Sequence, residues 1–402
     1  MRLFHILIAS LLTVVLLWIN IAVHTAPHVG SQQELEELRQ QLAYLEPSVH
    51  QGLGTEMQKL FPEGGVFTHA LYGLAWCGVA DRLAPLDTMR KHAYREARWA
   101  YAQVDTRREW ARFPELASPQ YGVFYAGWRN YLLARMVAVG AAANDTILLQ
   151  AFDRQSDLIA KAFARSSSPY LESYTGMAWP ADATVAMASL CMHGRLRGVR
   201  HATVIARWAT QVRARRDERG MIPHAWDPRS DRIGEQARGC SQSLMNTMLP
   251  AIDKALAWEQ YQLYRDHFLT EPLGLPAMRE YPHGASGGGD VDSGPVIFGV
   301  GSAATLVSAG ACRANDAALH AHVMDATTEA LGFVTGGQRK RYVFGAMPIA
   351  DLFIAWGRSI PCAHASHPAP AFKTFHGWSL LILLVLWSPV IVRWWRRSYR
   401  SR

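Results

Sequence analysis

Two kinds of helix-length segment alternate along most of the chain. Segments of the first kind are apolar almost all round, and each is led by or encloses a glycine: Gly65, Gly122, Gly176, Gly239, Gly294 and Gly345. Val66-Phe67-Thr68-His69-Ala70-Leu71-Tyr72 follows the first of these, and Pro295-Val296-Ile297-Phe298 follows the fifth. Segments of the second kind, 86–104, 145–164, 201–216, 254–268 and 314–330, carry their charges on one face. A helix apolar on every side is buried, and an amphipathic one lies between core and solvent. The leading glycines recur every 51 to 63 residues, which leaves room for two helices and their loops. Little of the chain alternates with period two, so few strands are expected. The pattern predicts an all-α fold, an (α/α)6 toroid of six buried helices inside an outer layer.

Two apolar stretches lie outside this repeat. Residues 4–23 and 375–392 carry no formal charge and approach the length a bilayer core requires. Arg2 precedes the first, and Arg393, Arg396, Arg397, Arg400 and Arg402 follow the second. Basic residues favour the cytoplasmic side, so both ends are expected there and residues 25–374 outside, in the periplasm of a Gram-negative cell. Trp378, Trp387, Trp394 and Trp395 suit the interfacial belt. The alternative for the first stretch is a cleaved signal peptide, but His24-Thr25-Ala26 matches an A-x-A cleavage site poorly. The expected division is therefore an anchor at 1–24, a stalk helix and linker at 25–60 and a toroid at 61–360. A linker at 361–374, a transmembrane helix at 375–395 and a basic tail at 396–402 complete it.

Within 25–60, Leu35, Leu38, Leu42 and Leu45 share one helical face, giving a stalk or a first outer helix that Pro47 should close. Residues 287–301 read as a glycine loop ending in Asp290 and Asp292. Ser293 would then cap a helix, with Pro295 in its first turn.

Charge and cysteine content narrow the function. The formal net charge is +8, and without the six arginines at the ends it is +2, so the basicity reflects topology and gives no case for a nucleic-acid partner. The bilayer and a small-molecule or carbohydrate ligand are the expected partners, and oligomeric state is not legible. None of the five cysteines forms a C-x-x-C pair or sits at zinc-finger spacing. Cys77, Cys191 and Cys312 lie in small-residue helices as packing groups. Cys240 and Ser241 lack the G-x-S-x-G context of a nucleophile elbow. His320 and His322, two apart on one helix, point different ways, so no metal site is expected there, and no cofactor is expected.

Loops leading into the inner helices of such a toroid converge at one mouth, where ligand sites form. They supply Tyr121, Tyr125 and Arg129, then Glu172, Tyr174, Trp179 and Asp182, then His224 and Trp226, and finally Asp290 and Asp292. An acid beside an indole has its pKa raised, as proton donation requires, which makes Asp182 and Glu172 candidate acids. The alternative for Asp182 is a helix cap or an arginine pair. For Asp290 and Asp292 the alternatives are capping, a substrate or catalytic role, and a bound cation. His224 is a candidate base or an ordinary loop histidine. The candidate catalytic set is Asp182, Glu172, Asp292 and His224. Tyr121, Tyr125, Arg129, Tyr174, Trp179, Trp226 and Asp290 form the candidate substrate-binding set.

The hairpin Trp179-Pro180-Ala181-Asp182-Ala183-Thr184-Val185-Ala186-Met187-Ala188-Ser189-Leu190, followed by Arg197-Gly198, resembles that of the linalool dehydratase/isomerase family. Asp217-Glu218-Arg219-Gly220, Pro228-Arg229-Ser230 and Ala257-Trp258-Glu259-Gln260-Tyr261 in the next unit extend the resemblance, which in layout covers residues 60–360. It implies an (α/α)6 barrel that hydrates, dehydrates or isomerises an alcohol by metal-free acid/base chemistry. The family's active-site cysteines have no counterpart here, where Glu172, Trp179 and Asp182 stand, so a terpene substrate does not carry over. The expected function is an acid/base lyase or isomerase acting on a small or lipid-like alcohol. The alternatives are a glycoside hydrolase or polysaccharide lyase on the same toroid, and a non-catalytic carbohydrate- or lipid-binding protein.

Overall fold

A computed structural model describes residues 2–198, 200–291 and 293–400, so Asp292 lies outside the described residues. The chain is mostly helical. In order it forms α1 (Arg2–Ala22), α2 (Gln32–His50), α3 (Leu53–Leu60), α4 (Gly64–Arg82), α5 (Thr88–Val104) and the short α6 (Arg107–Trp110). Then come α7 (Gly122–Val139), α8 (Thr146–Arg165), α9 (Pro180–Arg197), α10 (Ala202–Ala214), α11 (Gly239–Met248) and α12 (Lys254–Phe268). The last are α13 (Ser302–Ala314), α14 (Ala318–Leu331), α15 (Pro348–Ser359) and α16 (Lys373–Arg400). The strands among the described residues are short antiparallel pairs: β1 (Ala225–Asp227) with β2 (Arg232–Glu235), β3 (Leu269–Thr270) with β4 (Ala277–Met278), and β5 (Val296–Ile297) with β6 (Val300–Gly301).

The apolar helices α4, α7, α9, α11, α13 and α15 pack in succession, and α15 packs back on α4. Around them α5 lies on α4 and α7, α8 on α7 and α9, α10 on α8 and α9, α12 on α11, and α14 on α13. Several of the outer helices begin with a side-chain cap, although α10 and α14 do not. Asp87, Asp145 and Asp253 accept hydrogen bonds from backbone amides at the starts of α5, α8 and α12, and Ser31 does so for α2. None of the six apolar helices has a side-chain cap of this kind among the described residues.

The recurring glycine has a tertiary cause. A Cβ at Gly122 would overlap the carbonyl oxygen of Ser173, from the loop that leads into α9. A Cβ at Gly239 would overlap the carbonyl oxygen of Arg279, on the segment that leads toward α13. At both positions the connection of the next unit lies directly on the start of the preceding apolar helix. Backbone bonds fix the approach: Val123 N–H donates to Glu172 O at 2.9 Å, and Gly239 N–H to Glu280 O at 2.8 Å.

Three expectations change. Helix α2 runs on through Pro47 to His50, because Leu45 and Val49 are buried and hold a last turn that proline alone would weaken. It is an outer helix packed on α4 and α15, and residues 53–60, expected as linker, form α3. Ser293 caps no helix, and Pro295 precedes a hairpin rather than sitting in a first turn. Phe298 and Gly299 both have positive φ, +51° and +80°, the combination a two-residue type I′ turn needs, so β5 and β6 pair and the helix starts only at Ser302. Ser293 instead closes a turn with Asp290, its N–H donating to Asp290 Oδ1 at 2.9 Å.

A seam of buried charge joins α2, α13, α14 and α15. Arg313 donates to Glu34 at 2.5 Å and to Asp325 at 2.6 Å. Arg358 donates to Glu329 at 2.5 Å, Lys340 reaches Glu329 at 2.7 Å and also pairs with Glu37, and Tyr342 O–H donates to Glu329 at 2.6 Å. Lone charges in so dry a place would be very unfavourable; here every cation faces carboxylates.

Helices α1 and α16 hold stretches of 20 and 23 residues, long and apolar enough to cross a membrane. They pack on each other, with Asn20 Nδ2 donating to Ser379 Oγ at 2.9 Å and Trp387 Nε1 to Thr13 Oγ1 at 2.9 Å.

Candidate functional site

A cavity of about 240 Å³ lies at the N-terminal ends of the six apolar helices, and each of them contributes to its wall. Glu63 and Phe67 come from the start of α4, Phe124 from α7, Trp179 and Asp182 from α9, and Cys240, Ser241 and Leu244 from α11. Ser302, Leu306 and Val307 come from α13, and Met347, Ile349 and Phe353 from α15. Phe67 sits at the centre of the aromatic wall, edge-on to Phe124 at 5.1 Å and tilted to Phe353 at 5.4 Å. Most of the surface is therefore hydrocarbon, interrupted by a few polar groups. The first turns of these helices direct partial positive charge toward this end, which favours electron-rich groups.

One polar cluster stands on α11 and the loop before it. His224 is held by its backbone N–H, which donates to Glu235 O at 3.1 Å across the β1–β2 hairpin. The neighbouring Trp226 N–H donates to Ala178 O at 2.9 Å, tying this hairpin to the loop that carries Trp179. The buried imidazole hydrogen-bonds Ser241 Oγ through Nδ1, and its Nε2 lies 3.8 Å from Glu235 Oε2. Burial, with Arg238 nearby, lowers His224 to about 4, so the ring is neutral over the ordinary pH range.

Behind it, Arg238 Nε donates to Glu280 Oε1 at 2.8 Å and Nη1 to Asp290 Oδ2 at 2.6 Å. Cys240 Sγ donates to Glu280 Oε1 at 3.1 Å. Burial and the Glu280 carboxylate push the Cys240 thiol well above its ordinary range, so Cys240 is a protonated donor and not a nucleophile. Burial also raises Glu280, although Cys240 and Arg238 bond to it. Asp290 is held well below the usual carboxylate range, because the Arg238 and Ser293 bonds outweigh its partial burial.

The second cluster faces from α9 and the start of α4. Asp182, in the first turn of α9, accepts from Ser173 Oγ at 2.5 Å. Ser173 is the residue whose backbone presses on Gly122. Tyr174 O–H donates to Glu63 Oε1 at 2.6 Å, and its ring meets Trp179 edge-on at 6.0 Å.

Of the residues expected from sequence, Asp182, His224 and Trp179 line the cavity, and Tyr174 reaches it through Glu63. Glu172 lies in the same loop but does not line the cavity, and its backbone carbonyl supports α7. Tyr125 is buried behind the wall with its hydroxyl on Val104 O at 3.3 Å, and Tyr121 stacks on Trp110 at 5.0 Å. Arg129 pairs with Asp105 at 2.8 Å. Trp226 donates to Asp231 at 3.2 Å and lines a separate hollow. Asp290 acts through Arg238, and Asp292 is outside the described residues. Two acids were not anticipated. Glu63 immediately precedes Gly64 and carries only the signal of a residue before an apolar helix. Glu280 stands between Arg279 and Tyr281, away from any helix start.

No family model and no curated protein matches this chain.

Proposed function

We propose that this chain is an (α/α)6 toroid held at a membrane by its two terminal helices, and that its cavity carries out acid/base elimination, hydration or isomerisation of a small apolar alcohol. The closed succession of α4, α7, α9, α11, α13 and α15 supports the toroid. The arginines at both ends support cytoplasmic termini with the helical domain outside. The observation that carries the chemistry is a small cavity with hydrocarbon walls that holds a carboxyl group, Asp182, and a neutral imidazole–hydroxyl pair, His224 with Ser241.

In dehydration Asp182 gives its proton to the substrate hydroxyl, and water leaves with the C–O electron pair. The proton on the adjacent carbon passes through Ser241 Oγ to His224 Nδ1, and its C–H pair becomes the double bond. Hydration is the reverse. Aromatic walls around the reacting carbon exclude bulk water and shelter the developing cation. A long carbohydrate needs an open polar cleft, and this cavity is small and mostly apolar, which favours the alcohol over the glycosidase reading. The resemblance to the linalool dehydratase/isomerase family points the same way.

The test is to incubate the detergent-solubilised full chain with a panel of monoterpene and medium-chain alcohols and to follow alkene and isomer by gas chromatography. Turnover lost in Asp182→Asn and His224→Gln, with folding intact, is the expected result. If both variants keep full activity on a substrate the chain converts, or if no alcohol reacts while a carbohydrate binds, the reading fails.

A further inference from the structure

Three histidines from distant parts of the chain meet beside the terminal helices, away from the cavity. His28 follows α1, His322 lies on α14, and His367 precedes α16. One ring nitrogen of each lies within 4.8 Å of the other two, and the ring centroids are 5.3, 5.0 and 4.7 Å apart. His28 is exposed, His367 half-buried and His322 buried.

Their hydrogen bonds define which nitrogens are available. His322 Nδ1 contacts the carbonyl of Pro27 at 3.2 Å, and His367 Nδ1 the carbonyl of Pro368 at 3.0 Å. A carbonyl can only accept, so each Nδ1 carries the proton and each Nε2 presents its lone pair. His367 Nε2 is buried with no hydrogen-bond partner among the described residues. A buried nitrogen lone pair without a donor is unfavourable unless a cation or a water meets it. A backbone carbonyl on the far nitrogen is also the usual way that protein metal sites fix the tautomer of a ligating histidine.

We infer that His28, His322 and His367 form a binding site for a borderline divalent cation, best matched by Zn²⁺, which clasps the segments next to both terminal helices onto α14. Imidazole donors suit this class of ion, and three of them with one water complete a tetrahedral shell. Bonds of about 2.0–2.1 Å to a tetrahedral centre bring ligand atoms to roughly 3.4 Å apart. From within 4.8 Å, modest side-chain movements bring the three nitrogens to that spacing. The metal would join residues 294 and 45 positions apart along the chain without touching the cavity, so its role is mechanical: it sets the helical domain against the terminal helices.

A second group, Glu46, His50 and Glu96, has ligand atoms similarly close, but His50 Nε2 already bonds Glu96 at 2.7 Å, so it serves as the internal control. The experiment is a calorimetric Zn²⁺ titration of the chelator-stripped full chain in detergent, with thermal melting alongside. One Zn²⁺ per chain and a higher Tm on loading are expected. Affinity should fall at least about ten-fold in His28→Gln and in His367→Gln, and should stay unchanged in His50→Gln. His28 is exposed, so its variant should melt as the parent does without metal. If the double variant His28→Gln, His367→Gln binds Zn²⁺ with the parent's stoichiometry and affinity, or if only His50→Gln loses it, the site is refuted.

Discussion

The cavity mouth and the seam beneath α2 hold the same kinds of charged side chain and use them in opposite ways. In the seam, Arg313, Arg358 and Lys340 are surrounded by Glu34, Glu37, Asp325 and Glu329. Burial alone would raise the carboxylates Asp325 and Glu329, yet the cations beside them hold both below their ordinary values. At the mouth, Arg238 serves both Glu280 and Asp290, while Asp182, Glu63 and His224 reach an apolar void. Charge neutralised on all sides can only hold elements together. Charge that meets hydrocarbon and empty volume retains the capacity to exchange protons with a ligand.

The largest effect should come from unbalancing the seam. Arg358→Met leaves Glu329 and Asp325 short of a cation and should cost about 3–5 kcal/mol, read as a drop in Tm or in denaturant midpoint. Adding Glu329→Gln should recover part of that loss, since the uncompensated charge is then removed. No recovery would mean that Arg358 acts mainly through packing.

At the mouth the effect should fall on turnover. Asp182→Asn keeps an acceptor for Ser173 and should lower kcat by roughly 10²–10⁴-fold while leaving Tm close to the parent's. A large Tm loss with unchanged kcat would move Asp182 into the structural class.

Asp351 sharpens the comparison because it lies beside the seam without an ion pair of its own among the described residues. Burial raises it to about 7 from an ordinary 3.8, against hydrogen bonds from Tyr342 N–H at 3.0 Å and Gln41 Nε2 at 3.2 Å. A carboxyl raised on folding favours the folded state fully below 3.8, and that contribution is lost as pH rises through about 7. Asp351→Asn retains the acceptor oxygen and cannot ionise. The stability of the variant relative to the parent should therefore grow between these two pH values and level off above, by about 4 kcal/mol. A difference that does not change with pH would show that Asp351 is not the titrating group.

The smallest effect should come from volume alone. Leu306→Trp, on the cavity wall, should weaken uptake of a converted alcohol about ten-fold, or about 1.4 kcal/mol. Overall stability should shift by less than about 1.5 kcal/mol, since the indole enters existing space. Binding that is unaffected would place the ligand elsewhere.

Much of the fold was legible because burial is written in residue type. The all-apolar surroundings of Gly65, Gly122, Gly176 and Gly239 marked buried helices, and the charged face of 254–268 marked an outer helix with the bounds observed. Trp179 and Asp182 could be expected near the cavity because they stand where an apolar helix begins. Ser293 and Pro295 misled for a local reason: a cap residue and a proline suit a helix start, but the glycine two residues past Ile297 allowed a type I′ hairpin instead. Glu280 was missed because its significance is not local, since the atoms that define it, Cys240 Sγ and Arg238 Nε, belong to the preceding unit.

By itself, the sequence determined most of the helical segments, which of them are buried, that a glycine recurs at the start of the buried ones, and that two helices near the ends are long and apolar enough for a bilayer. Tertiary structure alone decided which carboxylates face the void. Asp290 sits in a loop that looks like a site, yet it is neutralised by Arg238 from 52 residues away. His322, unremarkable beside His320, meets His28 and His367 only when both chain ends fold back onto α14. The reason is physical: helix formation and burial follow from a residue and its near neighbours, whereas the charge state of an ionisable group follows from whatever the fold brings within a few ångströms of it.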